Sequence, residues 1–323
     1  MRRWQTLIGR CGLRTDRFAR YTFLCTVTTL TVATAEQGFQ AQQFDDFQPV
    51  TDEILQNPDP ADWLHWRRTL DAWGHSPLDQ ITPDNAHQLR LKWSWALTEG
   101  SQQTTPMVYN GVMYIANPGE MVQALDAVSG ELLWENAYEA VYEGLDYDSG
   151  PRASAMIHDG RVYTLGAVGH LRCLDAATGK PAWQNKKDIF GTVLVFSQQH
   201  DMLLMSYQST RFKLPSEVGG RMAVFRAGEG YRVWDKKIDY ITRPLVNDRT
   251  IITQPARLDL LTGEDEPWSF KRSYGCGQMA GSKNLLLFRS ATVGYFDFTR
   301  KAGVENFGGI RPGCWVNALP AGG

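Results

Sequence analysis

From residue 101 onward the chain is written in short runs of alternating apolar and polar residues separated by Gly, Asn, Asp and Ser. This is the pattern of half-buried β-strands joined by tight turns. One unit occurs twice, offset by 49 residues: Ala124-Leu-Asp-Ala-Val-Ser-Gly-Glu-Leu-Leu-Trp134 and Cys173-Leu-Asp-Ala-Ala-Thr-Gly-Lys-Pro-Ala-Trp183. In each, a strand (121–125, 171–174) runs into Asp126 or Asp175, whose carboxylate can accept backbone N–H groups two residues on. Gly130 or Gly179 then supplies a positive φ, and a second strand carries Trp134 or Trp183. Two unrelated hairpins would leave the shared register of Asp, Gly and Trp unexplained. A strand-built period near 50 with a docking Trp predicts the four-stranded blades of an all-β propeller.

Weaker copies follow. Val224–Trp234 keeps Gly230 and Trp234 but has Arg226 in place of Asp; Asp259 and Gly263 keep the turn, with Trp268 one residue late; Phe296-Asp297-Phe-Thr299 is a fifth, eroded unit. Intervals of 49, 51 and 34 between the tryptophans predict that later blades lose strands or loops. Counting back from turns at Asn110-Gly111, Asp159-Gly160, His200-Asp201, Asn247-Asp248 and Ser282-Lys283 places the first strands near Gln103, Arg152, Thr192, Arg243 and Cys276, with a sixth near Cys314. The innermost strands of a propeller begin at one mouth of its channel, so these six residues are expected to face a common axis, either as a binding ring or as a wet funnel.

The 323 residues, with 30 Gly, 15 Pro and 11% aromatics, suit five to six blades. The best helix candidate is 62–70, with Trp63, Trp66 and Leu70 on one face, expected to pack on the propeller's side. Residues 1–35 differ: Arg2, Arg3, Arg10, Arg14, Arg17 and Arg20, a Thr-diluted apolar stretch over 21–32, and Ala33-Thr-Ala35 resemble an export signal with a cleavage site. A basic tail that stays on the chain is the alternative. The apolar stretch is too short for an ordinary transmembrane helix. The expected organisation is thus an export signal at 1–35, a linker at 36–60 and a propeller domain at 61–323, with a packing segment at 61–100 before the repeats.

Losing the leader, whose six Arg and one Asp sum to +5, would take the formal charge from −2 to −7. An acidic exported propeller is a poor match to nucleic acid. Of five Cys, Cys11 and Cys25 lie in the leader; Cys173 occupies the Ala124 position and is expected as a small buried hydrophobe. Cys276 and Cys314 take equivalent ring positions, and whether they pair is open. The six His show no metal-binding spacing, and His158 and His200, beside turns, are expected to be solvated. No P-loop, dinucleotide or nucleophile-elbow motif occurs in a fitting context. The acidic stretch 138–148, with Glu139, Glu143, Asp146 and Asp148, reads as an ordinary solvated loop or a Ca²⁺ loop.

Three segments carry a family resemblance: Val50-Thr-Asp-Glu-Ile-Leu-Gln-Asn-Pro-Asp-Pro-Ala-Asp-Trp63, Trp66-Arg-Arg-Thr-Leu-Asp-Ala-Trp-Gly-His-Ser-Pro-Leu-Asp-Gln-Ile81, and Gln102-Gln-Thr-Thr-Pro-Met-Val-Tyr-Asn-Gly-Val-Met-Tyr114. Over 50–136 the chain resembles the pyrroloquinoline quinone (PQQ)-dependent alcohol dehydrogenases, and its Trp unit is similar to that family's tryptophan-docking repeat. Beyond Gly150-Pro-Arg-Ala-Ser it resembles the wider PQQ-like propeller group, which includes outer-membrane assembly propellers. The resemblance implies an exported protein with PQQ and Ca²⁺ in the channel, hydride abstraction from an alcohol, and PQQ contacts at Gln103 and Arg152. It implies periplasmic location, an alcohol and an electron acceptor as partners, and no transmembrane span once the signal is removed.

The sequence departs from the family in lacking two adjacent Cys and in offering no counterparts for the Ca²⁺ ligands or the catalytic Asp. It stops at Ala321-Gly-Gly323 within a hairpin-like turn, which predicts an incomplete ring. Two classes therefore stay open: a quinoprotein dehydrogenase or its truncated relative, and a noncatalytic propeller scaffold that binds protein.

Overall fold

A computed structural model describes residues 48–140, 153–191, 193–207, 220–273, 278–300, 302–313 and 318–320. Strands β1 (Met107–Tyr109), β2 (Val112–Asn117), β3 (Met121–Asp126) and β4 (Leu132–Asn136) form the first sheet, and β5 (Met156–His158), β6 (Arg161–Leu165), β7 (Leu171–Asp175) and β8 (Pro181–Asn185) the second. The third is β9 (Val193–Ser197), β10 (Met202–Ser206), β11 (Arg221–Arg226) and β12 (Arg232–Lys237). The fourth holds only β13 (Leu245–Asn247), β14 (Thr250–Ile252) and β15 (Arg257–Asp259), and the fifth β16 (Ala280–Gly281), β17 (Leu285–Ser290), β18 (Thr292–Asp297) and β19 (Val304–Asn306). Every sheet is an antiparallel meander in chain order. Among the described residues these sheets are five blades of an all-β propeller whose ring is incomplete. The sixth blade expected near Cys314 lies outside them.

The expected turns form where the sequence places them. Asn110 and Gly111 (φ 47° and 76°), Asp159 and Gly160 (45° and 68°) and Asp248 (51°) take the left-handed backbone that two-residue hairpins need, and Asp201 (53°) does so in the four-residue loop between Ser197 and Met202. The first strands begin one to four residues after the counted ring positions. Just inside that mouth, side chains tie neighbouring blades: the Thr105 N–H donates to Ser154 Oγ at 2.8 Å, and the Arg243 N–H to Gln278 Oε1 at 2.7 Å.

Between blades, one contact recurs. In each repeat the Asp carboxylate closes the turn, Asp126 accepting from the N–H groups of Val128 and Ser129, and Asp175 from that of Thr178. The Gly four residues on folds back onto the carbonyl at the Asp position, Asp126, Asp175 or, in the third blade, Arg226, with φ between 69° and 78°. That Gly lies under the Trp of the preceding blade: a Cβ on Gly179 would stand 2.5 Å from the Trp134 ring, and one on Gly263 2.8 Å from Trp234. The indole N–H completes the dock on the carbonyl of the residue after the Asp. Trp134 donates to Ala176 at 3.0 Å, Trp183 to Ala227 at 2.8 Å and Trp234 to Leu260 at 2.8 Å. Trp93, upstream of every strand, docks the same way on Gly130 and Ala127. The segment 61–100 thus supplies the docking residue that the later blades take from the blade before them, which its lack of strand pattern concealed.

The eroded units fail or adapt for visible reasons. In blade 3 the carboxylate moves across the hairpin: Asp201 accepts the Gly228 N–H at 3.0 Å and pairs with Arg226 at 3.8 Å. This inverts the Arg161–Asp175 pair of blade 2. Trp268 leaves the dock, donating instead to Thr253 of its own blade and stacking on Phe270 at 5.4 Å. Four residues after Asp297 the sequence has Lys301 in place of the Gly of the other units.

Residues 62–70 are not a helix. Trp63 pairs with Val108 on the free inner edge of β1, Arg68 and Ala72 take φ of 70° and 56°, and the Arg68 guanidinium is held by the Pro58 and Asp59 carbonyls. The edge of β1 outcompetes the weak helical pattern, and the segment lies along the inner strand rather than on the propeller's side. The helix that forms is α1 (Asp52–Gln56), capped by the Thr51 hydroxyl. It is preceded by the fully buried Val50, whose carbonyl accepts the Asp159 N–H.

Gly179→Ala is expected to lower the urea midpoint far more than Gly111→Ala. Both incur the positive-φ penalty of about 1 kcal/mol, but only the first meets a ring, adding about 1–3 kcal/mol of overpacking; Gly111 has open space around it. Arg226→Asp places two carboxylates face to face and should destabilise, whereas the exchange Arg226→Asp with Asp201→Arg should restore most of the loss. A double-mutant cycle reads this coupling, expected below about 1 kcal/mol for so exposed a pair.

Candidate functional site

The inner strands of four blades line an open-sided cavity of about 560 Å³. Its wall runs from Arg243 and Pro244, at the start of β13, to His158 and Gln198, at the turn ends of β5 and β9. Met107, Met156, Leu194 and Phe196 project from the strands, and Asp52, Leu55, Leu64, His65 and Trp66 of the N-terminal segment complete it. A strand edge and a capped helix turn therefore hold the floor in place. The volume is that of an ordinary small-molecule site.

Two histidines face this space. His158 is 4% exposed, with its ring 4.6 Å from that of Phe196, and its Nδ1 makes no hydrogen bond; buried Nε2 of His65 makes none either. Burial pushes the pKa of both down, so both are neutral at pH 7. His158 is therefore not the solvated turn residue expected from its neighbours: it is the last residue of β5, and its alternation turns it inward. His200 does sit at its turn, 3.0 Å from Asp248. The sequence signal that could have found His158 is the two-residue spacing from Met156.

Of the six ring positions, Gln103 and Arg243 are described. Both are exposed, Gln103 four residues before β1 and Arg243 on the cavity wall two residues before β13. No hydrogen bond joins them. Arg152, Thr192, Cys276 and Cys314 lie outside the described residues, as do Glu143, Asp146 and Asp148 of the acidic stretch and the whole of 1–35. Cys173 is buried, its thiol pushed up to about 11 by burial, and is free. It is an inert core residue.

A buried polar cluster clamps blades 1 and 2 near the same mouth. Glu120, 3% exposed, accepts from the Tyr138 hydroxyl at 2.5 Å and the Ala167 N–H at 2.7 Å, while Arg172 donates to the Glu120 carbonyl and to Asn136 Oδ1. The Arg172 guanidinium lies 4.5 Å over the Tyr138 ring, and His170 meets that ring edge-on at 4.0 Å. Burial, with Lys186 and Arg172 nearby, pushes His170 down to about 4.

Sheet order, tryptophan docks and a lined channel define the fold as a PQQ-like β-propeller. Residues 63–193 match the family model of the PQQ-type glucose/ethanol/alcohol dehydrogenase β-propeller domain. The chain is related to quinoprotein alcohol dehydrogenases. It is 40% identical over 92 residues to the dehydrogenase subunit of an alcohol dehydrogenase (quinone) from Gluconobacter oxydans, covering 28% of this chain and 12% of that protein. Over 62 residues it is 53% identical to a 1-butanol dehydrogenase (cytochrome c) from Thauera butanivorans, 19% of this chain and 9% of that one. The matched part is thus a small fraction of each relative. In fold it is similar to a europium-containing methanol dehydrogenase, with a TM-score of 0.55 at 16% identity, over 80% of this chain and 60% of that chain.

Because neutral buried His170 must gain its proton in the unfolded state first, the unfolded chain binds more protons between about pH 4 and the ordinary histidine value. Stability should therefore rise with pH across that window and level off above it. His170→Gln should flatten the rise, measured as urea midpoints at several pH values, with His65 and His158 leaving a residual slope of the same sign.

Proposed function

We propose that this chain is an exported, PQQ-binding propeller of the quinoprotein alcohol dehydrogenase type, with Gln103 and Arg152 as cofactor contacts and Thr192, Arg243, Cys276 and Cys314 completing the ring. One observation supports this reading: the family match over 63–193 spans the two blades before whose first strands the repeat period leads one to expect Gln103 and Arg152 at the channel mouth. Bound PQQ would supply a two-electron acceptor for hydride from an alcohol. The described residues fit a multiply anionic, flat molecule in one respect, since Arg243 brings a guanidinium to the wall, suited to bidentate pairing with a carboxylate. Gln103 adds an amide that can donate and accept at the first blade.

The chain's own part is to hold this molecule still. Gln103 and Arg243 lie just ahead of inner strands, beside the Thr105–Ser154 and Arg243–Gln278 bonds that tie neighbouring blades, so their backbones start from a fixed frame. For Ca²⁺ the fit is absent: among the described residues no three His, Cys, Asp or Glu side chains are placed to share an ion. The periplasmic location rests on the 1–35 leader, and among the described residues no helix is long and apolar enough to cross a membrane. An alcohol and an electron acceptor are the implied partners. The scaffold reading, in which the channel serves architecture and the protein binds other proteins, draws on the absence of adjacent cysteines.

Purified chain mixed with PQQ, with and without Ca²⁺, should retain one quinone after desalting, seen by its absorbance, and reduce a dye when given short alcohols. Arg152→Ala should weaken retention at least tenfold, equivalent to about 1.4 kcal/mol for a lost charge-assisted contact. No retention by the wild type under either condition overturns the quinoprotein reading and leaves the scaffold.

A further inference from the structure

We infer that the turn-side half of the channel is a second ligand site, taking an uncharged, mainly apolar small molecule with one hydrogen-bonding group that His158 and His65 engage. Three observations lead there. The wall is apolar, built from Leu55, Leu64, Met107, Met156, Leu194 and Phe196. On it stand the imidazoles of His158 and His65: Nδ1 of the first and Nε2 of the second are closed off without a partner, which leaves the other nitrogen of each ring to meet a ligand. A ring nitrogen that meets no protein group can take its partner from a molecule in the cavity, and two such rings on one wall mark a place for a polar group. Third, the charged groups of the wall stand at its ends, Arg243 at the strand starts and Asp52 at the turn ends, leaving the middle suited to a neutral molecule.

The imidazoles suit such a ligand because a neutral ring offers one donor and one acceptor nitrogen, so each can meet a hydroxyl, carbonyl or amide without a net charge. The repeat does not demand these residues: His158 ends β5 and His65 belongs to the N-terminal segment, and neither takes part in a tryptophan dock. The site is independent of PQQ, which is proposed at the strand starts. An alkyl or aryl body would replace cavity water against Leu194 and Phe196, with the polar group turned to the histidines.

Equilibrium dialysis of the full chain with 2-naphthol and with naphthalene tests this. The wild type should take up both saturably, one per chain. His158→Phe should lose about tenfold in affinity for 2-naphthol, the worth of one hydrogen bond, while holding naphthalene unchanged. Leu194→Trp, which fills the cavity, should lose both probes yet keep any PQQ the wild type retains. Near-ultraviolet circular dichroism checks that each variant is folded; if Leu194→Trp is not, Ala155→Leu fills the same space. No saturable uptake by the wild type, uptake unchanged in the folded cavity-filling variant, or equal loss of both probes in His158→Phe overturns the inference. Loss of PQQ together with both probes in a cavity-filling variant also overturns it, since the ligands would then share one site; absence of PQQ retention in the wild type alone leaves it standing.

Discussion

The structure depends on a flat indole lying against a carbon that carries no side chain. At each docked turn a glycine must hold a positive φ to close the hairpin and must also present a bare Cα to the tryptophan of the blade before it. Either demand alone favours glycine; together they admit nothing else, because any Cβ would lie inside the ring's contact distance at Gly130, Gly179, Gly230 and Gly263. The carbonyl following the Asp position accepts the indole N–H, and the N–H of that same residue binds back to the inner hairpin of its own blade, as Ala176 does to Gly160. One turn thereby ties an inner strand, an outer strand and a neighbouring blade. Burying an aromatic of this size contributes several kcal/mol at about 25 cal/mol per Å².

Once the dock is recognised as the conserved physical requirement, the decay of the repeat makes sense. The Asp is replaceable because its task is to accept turn N–H groups and balance a cation, and Asp201 does both from across the hairpin when Arg226 takes its place. The Gly recurs at every docked turn, and Trp268, whose downstream unit carries Lys301 in place of Gly in the sequence, packs instead in an aromatic cluster with Phe270, Phe288 and Phe296. Polar chemistry can be relocated by one or two residues; close approach of a ring to a backbone cannot.

The same distinction separates what was legible in the sequence from what was not. Turns were legible because Asn-Gly, Asp-Gly and Asp-x-x-x-Gly act locally, and the tryptophans because they recur in register. Trp93 was not, as its dock is made without any strand of its own around it. The helical pattern over 62–70 misled because the free edge of β1 offered backbone partners that a short helix could not match. His158 was read as a solvated turn residue, since its neighbours Asp159 and Gly160 are polar; its burial comes from the inner strands of other blades and from a segment about 100 residues upstream. Of the ring, the period fixed positions along the chain, while Gln103 and Arg243 owe their surroundings to blades far apart in sequence.

That separation bears on how site and stability are linked. In a propeller of this kind each blade is held mainly by its two neighbours, so the fold approximates a sum of blade and interface contributions. The channel cavity is different, as β1, β5, β9 and β13 each give only part of its wall. It keeps its shape only while three successive docks, those of Trp134, Trp183 and Trp234, hold those blades in place. The N-terminal segment bears on the same space from inside, through Val50 against Asp159 and Trp63 against Val108. A change that loosens any dock therefore acts twice, once on the interface it breaks and again on the spacing of side chains in the channel. Binding in the channel should for the same reason favour the docked arrangement, because a ligand touching four inner strands is bound only when all four are in register.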